Sequence, residues 1–127
     1  MAALYAGSTA SPAATVDFDD PRAVFLVVRL DGVDVGCGGL RVLCEGVGEL
    51  KRMYVDPAVR GHGVGRSLLR GLVDHARDVG LTRVQLETGT EQPAAVGLYR
   101  SEGFLAITPY GHHRDDPRSL GFALDLS

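Results

Sequence analysis

The sequence predicts an α+β domain in three layers, built on a mixed, mainly antiparallel sheet. Three observations carry that prediction. Apolar, β-branched runs are joined at Asp31-Gly32 and Glu45-Gly46, which gives a meander of antiparallel strands. A strand, a helix and a second strand then follow over residues 47–88, and such a crossover places its two strands parallel. A short helix and two more strand-like runs close the chain.

The elements are read in order. Residues 1–22 form a short arm rich in Ala, Ser and Thr, with a short helix near Ala2–Tyr5 at most and no first strand. Val24–Leu30 is a nearly continuous apolar run and reads as a buried strand. Asp31-Gly32 suits a type I′ turn, whose two central residues need positive φ. Val33–Leu43 returns, and Gly36, Gly38 and Gly39 within it suggest a bulge or close contact with another backbone. Val47–Val55 is the third strand. Asp56-Pro57 ends it, because Pro lacks an N–H and restricts the residue before it.

Arg60–Gly65 is a Gly-rich loop that opens a helix over Val64–Val79. Val64, Leu68, Leu69, Leu72, Val73, Ala76 and Val79 share one face of that helix, and Arg66, Arg70, Asp74 and Arg77 take the other. Gly80 supplies the stop. Leu81–Thr88 is the parallel partner strand. Gln92–Glu102 is a short helix, with Pro93 in its first turn and Gly103 after its end. Phe104–Thr108 and Ser119–Leu126 close the sheet around the polar loop PYGHHRDDPR.

Composition bounds the function. A chain of 127 residues supports a single domain, 1–127, with an ordinary 45% hydrophobic and 23% charged content. The net charge of −3 gives no general reason to bind nucleic acid or an anionic membrane. No apolar run approaches the roughly 18 residues of a spanning helix. The first residues lack a basic segment and a long apolar segment, so they are not read as a signal peptide. Cys37 and Cys44 lie in no metal-ligand or disulfide-scaffold pattern, which suits reduced thiols in a cytoplasmic protein. His112 and His113 have no further ligands at metal spacing, so no metal site is expected.

The loop is the strongest chemical signal. A helix start offers unpaired N–H groups and a positive dipole end, and glycines let a backbone approach an anion closely. A phosphate site is the expectation, with several candidate owners. A Walker loop needs Gly-Lys-Ser/Thr, and here Gly65-Arg66-Ser67 lacks the Lys. A dinucleotide fingerprint needs GxGxxG. Gly61, Gly63 and Gly65 give GxGxG, although Glu87 falls near the distance of the ribose-binding acid.

The run Val55-Asp56-Pro57, then Arg60-Gly61-His62-Gly63-Val64-Gly65 and Leu68-Leu69, resembles the acyl-coenzyme A loop of the GNAT N-acetyltransferase superfamily. Leu86-Glu87-Thr88-Gly89, Ala94-Ala95, Leu98-Tyr99 and Gly103-Phe104 resemble that family's second half. The resemblance covers roughly Val24 to Leu126. It implies a GNAT-like sheet whose central parallel strands splay apart. It also implies acetyl-coenzyme A as co-substrate. The pyrophosphate would meet the N–H groups of Arg60, Gly61, His62, Gly63, Val64, Gly65 and Arg66, with the Arg66 side chain adding charge. The pantetheine arm would run along Met53, Tyr54 and Val55.

The activity implied is direct transfer of an acetyl group to a primary amine of a small molecule or peptide. That needs placement of both substrates, a base for the ammonium and an acid for the leaving thiolate. The resemblance puts Tyr99 at the acid's place. A phenol, with an ordinary pKa of about 10, keeps its proton at neutral pH. Glu49 stands at the distance before the loop where some members carry a base. By alternation it shares a face with Lys51 and Met53, and desolvation there would raise its pKa. A structural ion pair with Lys51 or a neighbouring strand is its other reading. Tyr110, His112, His113, Arg114, Asp115 and Asp116 are expected near the acceptor side.

One departure stands out. Family domains usually begin with an extra strand and one or two helices, and here either the N-terminal strand is missing or the arm replaces it weakly. An open sheet edge would invite pairing with a second subunit, so a possible homodimer is expected. The alternative function is a catalytically weak or inactive coenzyme A-binding regulatory module. A nucleotide-binding protein is a third.

Overall fold

The computed structural model describes residues 2–6 and 20–126. Seven strands make one sheet in the order β1-β2-β3-β4-β5-β7-β6. They are β1 (Ala2–Ala6), β2 (Val24–Leu30), β3 (Val33–Cys44), β4 (Val47–Val55), β5 (Arg83–Gly89), β6 (Leu105–Ile107) and β7 (Ser119–Asp125). The helices are α1 (Val64–Asp78) and α2 (Pro93–Ser101), with a short 3-10 turn at Pro57–Val59. Every strand pair is antiparallel except β4–β5. The mixed sheet and its central parallel pair are as the order of segments predicts.

The first strand corrects an expectation. Ala2–Ala6 is neither a helix nor a bare arm but pairs antiparallel with β2, from Ala2 opposite Leu30 to Ala6 opposite Leu26. The sheet edge on which a homodimer was expected to pair is therefore that of β1 rather than β2. Alanine has weak strand preference, and the docking comes from the backbone of β2 rather than from local propensity.

The turns behave as their residues require. Asp31 and Gly32 both have positive φ, 51° and 82°. Both helices stop in the same way. The N–H of Leu81 bonds to the carbonyl of Ala76 and that of Gly80 to Arg77. At the end of α2, Phe104 bonds to Tyr99 and Gly103 to Arg100. This double bond pattern around a left-handed glycine closes a helix.

α1 and α2 lie on one face of the sheet. Val28, Leu40, Leu68, Leu72, Leu86, Phe104 and Phe122 are almost wholly buried between them and the strands. The helices are tied together by charge: Arg66 and Arg70 both pair with Glu102, the residue that ends α2. On the opposite face the 108–118 loop lies over β4 and β5. The third layer of the expectation is not found among the described residues.

The Glu102 pairs give a testable pH dependence. They hold its carboxyl below its ordinary value of 4.5. A group with a depressed folded pKa stabilises the fold fully above its unfolded value. That stabilisation is lost as pH falls from about 4.5 through the depressed value. Thermal melts from pH 7 to pH 3 should therefore show a wild-type advantage over Glu102→Gln that shrinks below pH 4.5. A constant gap would contradict the linkage.

Candidate active site

The parallel pair supplies the site's main feature. β4 and β5 are in register only at Val47–Arg83, Gly48–Val84 and Glu49–Gln85. Beyond Glu49 and Gln85 the strands part, while β4 stays paired to β3 as far as Val55. The β4 edge from Leu50 to Val55 therefore has N–H and C=O groups turned toward a gap rather than a neighbour. This is the splay that the resemblance implies.

A bulge in β4 shapes the same place. Gly39 lies opposite Lys51 and Cys37 opposite Tyr54, so two residues of β4, Arg52 and Met53, face one of β3, Gly38. Arg52 takes a left-handed conformation with φ of 59°. The extra residue flips the alternation. Glu49 and Lys51 stay on the face away from the helices. Met53 turns to the helix face, where the missing Cβ of Gly38 leaves room for its sulfur beside Leu68 and Leu72. The expected common face of Glu49 and Met53 is thus broken by backbone geometry.

A cleft of about 530 Å³ opens beside this edge. Met53, Tyr54 and Val55 line it from β4, Gly61, Gly63 and Gly65 from the loop, and Leu98 and Tyr99 from α2. Arg60, Val64 and Arg66 also line it, whereas His62 does not. Gly61 and Gly63 have φ of 87° and 75°, and a Cβ on either would point into open space. Gly65 has a different role, since its Cβ would stand 3.1 Å from Leu98 Cδ2. It lets α2 approach α1.

The loop's donors divide. Arg60 gives its N–H to the Pro57 carbonyl at 3.3 Å, and His62 gives its own to Val59 at 3.2 Å. Both were expected among the phosphate donors, and both are already engaged in the turn. The N–H groups of Gly61, Gly63, Val64, Gly65 and Arg66 have no backbone acceptor among the described residues. They gather at the positive end of α1. The Arg66 guanidinium, expected near the phosphates, instead pairs with Glu102 and bonds Ser101 Oγ at 3.2 Å. The side chain of Arg60 is exposed beside the cleft. Five free donors, two glycines with nothing before them, an unpaired strand edge and an apolar flank fit a phosphate-bearing, extended cofactor arm.

Tyr99 is 5% exposed, with its ring 5.8 Å from that of Phe104 and 6.1 Å from that of Phe122. Burial pushes its phenol pKa above the ordinary 10.0. It therefore stays protonated at neutral pH, as an acid must. Glu49, 6% exposed, lies on the far face of the sheet and outside the cleft lining. Its Oε1 accepts from Arg41 Nε at 2.6 Å, and Lys51 Nζ is 3.8 Å away. Its Oε2 accepts from the Tyr110 hydroxyl at 2.6 Å. Two hydrogen bonds leave lone pairs of the carboxylate unused.

Arg41, Glu87 and Tyr110 were not singled out by sequence reasoning for these contacts. Arg41 stands opposite Glu49 in the β3–β4 register, so counting back from the Glu45-Gly46 turn finds it. Tyr110 is 61 residues from Glu49, and nothing local signals that bond. Among the described residues no group of three or more His, Cys, Asp or Glu could hold a metal ion. No helix there is long and apolar enough to cross a membrane.

Comparison with known proteins agrees with this geometry. Residues 3–104 match the acetyltransferase (GNAT) family. The chain is 46% identical over 101 residues to an IAA acetyltransferase of Azospirillum brasilense, covering 79% of this chain and 66% of that protein. It spans about two fifths to two thirds of the length of the first curated relatives it matches. A solved Klebsiella pneumoniae chain described as an acyl-CoA N-acyltransferase superposes with a TM-score of 0.87 at 29% identity, over 100% of this chain and 99% of that one. A GNAT family acetyltransferase from Elizabethkingia anophelis with acetyl-CoA bound shares the fold, with a TM-score of 0.77 at 14% identity and 98% of each chain covered.

Proposed function

The chain belongs to the acetyltransferase (GNAT) family, and from that premise we propose that it moves an acetyl group from acetyl-coenzyme A to a primary amine of a small molecule or peptide. The observation that carries this reading is the parting of β4 from β5 after Glu49 and Gln85, beside the donor-rich loop. A split sheet joins the cleft on the helix face to the Glu49 face, so two substrates can meet from opposite sides.

When bound, acetyl-coenzyme A supplies an acyl carbonyl activated as a thioester, with a thiol as leaving group. The N–H groups of Gly61, Gly63, Val64, Gly65 and Arg66 would hold its pyrophosphate, with the side chain of Arg60 close by. The β4 edge at Met53, Tyr54 and Val55 would hold its arm. Tyr99 holds a proton at its hydroxyl for the sulfur that leaves. Glu49 takes the acceptor's proton through its unused lone pairs, directly or through one water. Arg41 and Lys51 pair with its carboxylate.

A homodimer is part of the proposal, with β1 as the edge strand on which a second chain would pair. A cytoplasmic setting belongs to it, supported by the free thiols of Cys37 and Cys44. The rival coenzyme A-binding module keeps the cleft and drops the work of Tyr99 and Glu49.

Thermal melting tests the cofactor. A ligand at 100 times its Kd adds about 2.7 kcal/mol to the stability of the fold it binds. Acetyl-coenzyme A and coenzyme A should each raise Tm by several degrees, while ATP and NAD leave it in place. An equal rise with ATP or NAD would return the loop to a nucleotide.

A further inference from the structure

We propose that Tyr110 is a positioning residue that clasps the fork between β4 and β5 and fixes Glu49 at its apex. The proposal rests on the reading of Glu49 as the acceptor-side base. It goes beyond that reading by giving the 108–118 loop a part in the site.

The observation is one residue bound to both strands at the place where they separate. Through its side chain, Tyr110 is attached to β4: its hydroxyl donates to Glu49 Oε2 at 2.6 Å. Glu49 belongs to the last parallel pair, Glu49–Gln85. Through its backbone, the same residue is attached to β5: its N–H donates to Glu87 Oε2 at 2.9 Å. Glu87 lies two residues past that pair, on the diverging arm. The N–H of Gly111 adds a second bond to the same oxygen at 3.0 Å.

The residue types fit these places. A Cβ at position 111 would run into Glu87 Oε1, so glycine is what allows the loop to sit on that carboxylate. At position 110 a donor is needed, because Glu49 Oε1 is already met by Arg41 and Lys51, while among the described residues Oε2 has only the phenol. A phenylalanine there would keep the ring and leave Oε2 free to swing. Burial, then the neighbouring Glu49 and Glu87 carboxylates, raise the Tyr110 pKa far above its ordinary 10.0. Its hydroxyl therefore remains a donor wherever Glu49 is ionised. With Arg41 on one oxygen and Tyr110 on the other, the carboxylate plane cannot rotate without breaking a bond.

Glu49 faces Arg41 from β3, Lys51 from its own strand, Gln85 and Glu87 from β5, and Tyr110 from the loop. Removing the Tyr110 hydroxyl deletes a bond to the charged form and leaves the other groups in place. Oε2 then loses the phenol, and the carboxylate plane is free to turn about the Arg41 bond.

The test is the carbon-13 NMR signal of the Glu49 side-chain carboxyl at neutral pH, assigned with Glu49→Gln, in the wild-type chain and in Tyr110→Phe. The expected result is a displaced and broadened carboxyl signal in Tyr110→Phe, with the Gly111 amide still protected from hydrogen exchange. Tyr99→Phe, on the other face, should leave the signal where it was. An unchanged Glu49 signal in Tyr110→Phe, with Gly111 still protected, overturns the proposal. So does loss of Gly111 protection, because the phenol would then be holding the loop rather than the carboxylate. The measurement needs neither acetyl-coenzyme A nor an amine. A displaced signal in a protein that acetylates nothing therefore upholds the clasp and discards only the functional reading.

Discussion

Replacing Tyr99 by phenylalanine is expected to lower the turnover of amine acetylation by about 100- to 10,000-fold, the usual worth of a positioned general acid. Binding of acetyl-coenzyme A should stay within a factor of about two or three, because the variant leaves every loop donor and the β4 edge in place. Stability should barely change. The ring, not the hydroxyl, packs against Phe104 and Phe122, at 5.8 and 6.1 Å. Thiol release and calorimetric binding, measured on the same preparation, separate these effects. The pH dependence has a definite sign. The active form is the protonated phenol, and burial raises its pKa above 10.0. Tyr99 should therefore impose no loss of activity as pH rises toward 10.0, and its loss belongs above that value. Wild-type turnover in Tyr99→Phe would reduce the residue to a packed aromatic.

Substituting Gly63 by alanine should weaken acetyl-coenzyme A binding by about tenfold or more. The new methyl would stand in the open space of the cleft that Gly63 lines. The strain of a Cβ at φ +75°, about 1–2 kcal/mol, is present with and without ligand and lowers stability instead. A loss of 1.4 kcal/mol is a factor of ten in affinity. Gly80→Ala is the control. Gly80 has φ of +86° and equally open surroundings, but it ends α1 away from the cleft. It should cost similar stability by thermal melting and leave calorimetric affinity unchanged. Equal affinities for Gly63→Ala and wild type would remove the loop from the cofactor site.

Most of the sheet was legible because its signals are local. Asp31-Gly32 fixes a turn by backbone sterics, and Gly80 and Gly103 fix helix ends in the same way. The apolar stripe from Val64 to Ala76 needs only helical periodicity. What was not legible depends on partners far away in sequence. Ala2–Ala6 is mostly alanine, with weak strand preference, and is held by β2. The bulge at Arg52 is hidden because arginine rarely takes a positive φ, so alternation placed Met53 on the wrong face. Arg66 reads as a phosphate ligand until Glu102 is seen beside it. His62 matches the loop pattern while its N–H is spent on Val59. The site divides along the same line. The loop glycines and Tyr99 could be named from a motif, and the structure brings them to one cleft. The grip of Arg41, Tyr110 and Glu87 on the Glu49 face of the sheet exists only in three dimensions.

The central claim is that this cleft supports acetyl transfer to an amine rather than cofactor binding alone. The most direct measurement is thiol release from acetyl-coenzyme A across a panel of small-molecule and peptide amines, with mass spectrometry of the products. The account predicts release that depends on an added amine, yields its N-acetyl product and largely disappears in Tyr99→Phe. Coenzyme A binding with no amine raising release above the rate in water, and no difference between wild type and Tyr99→Phe, would contradict it.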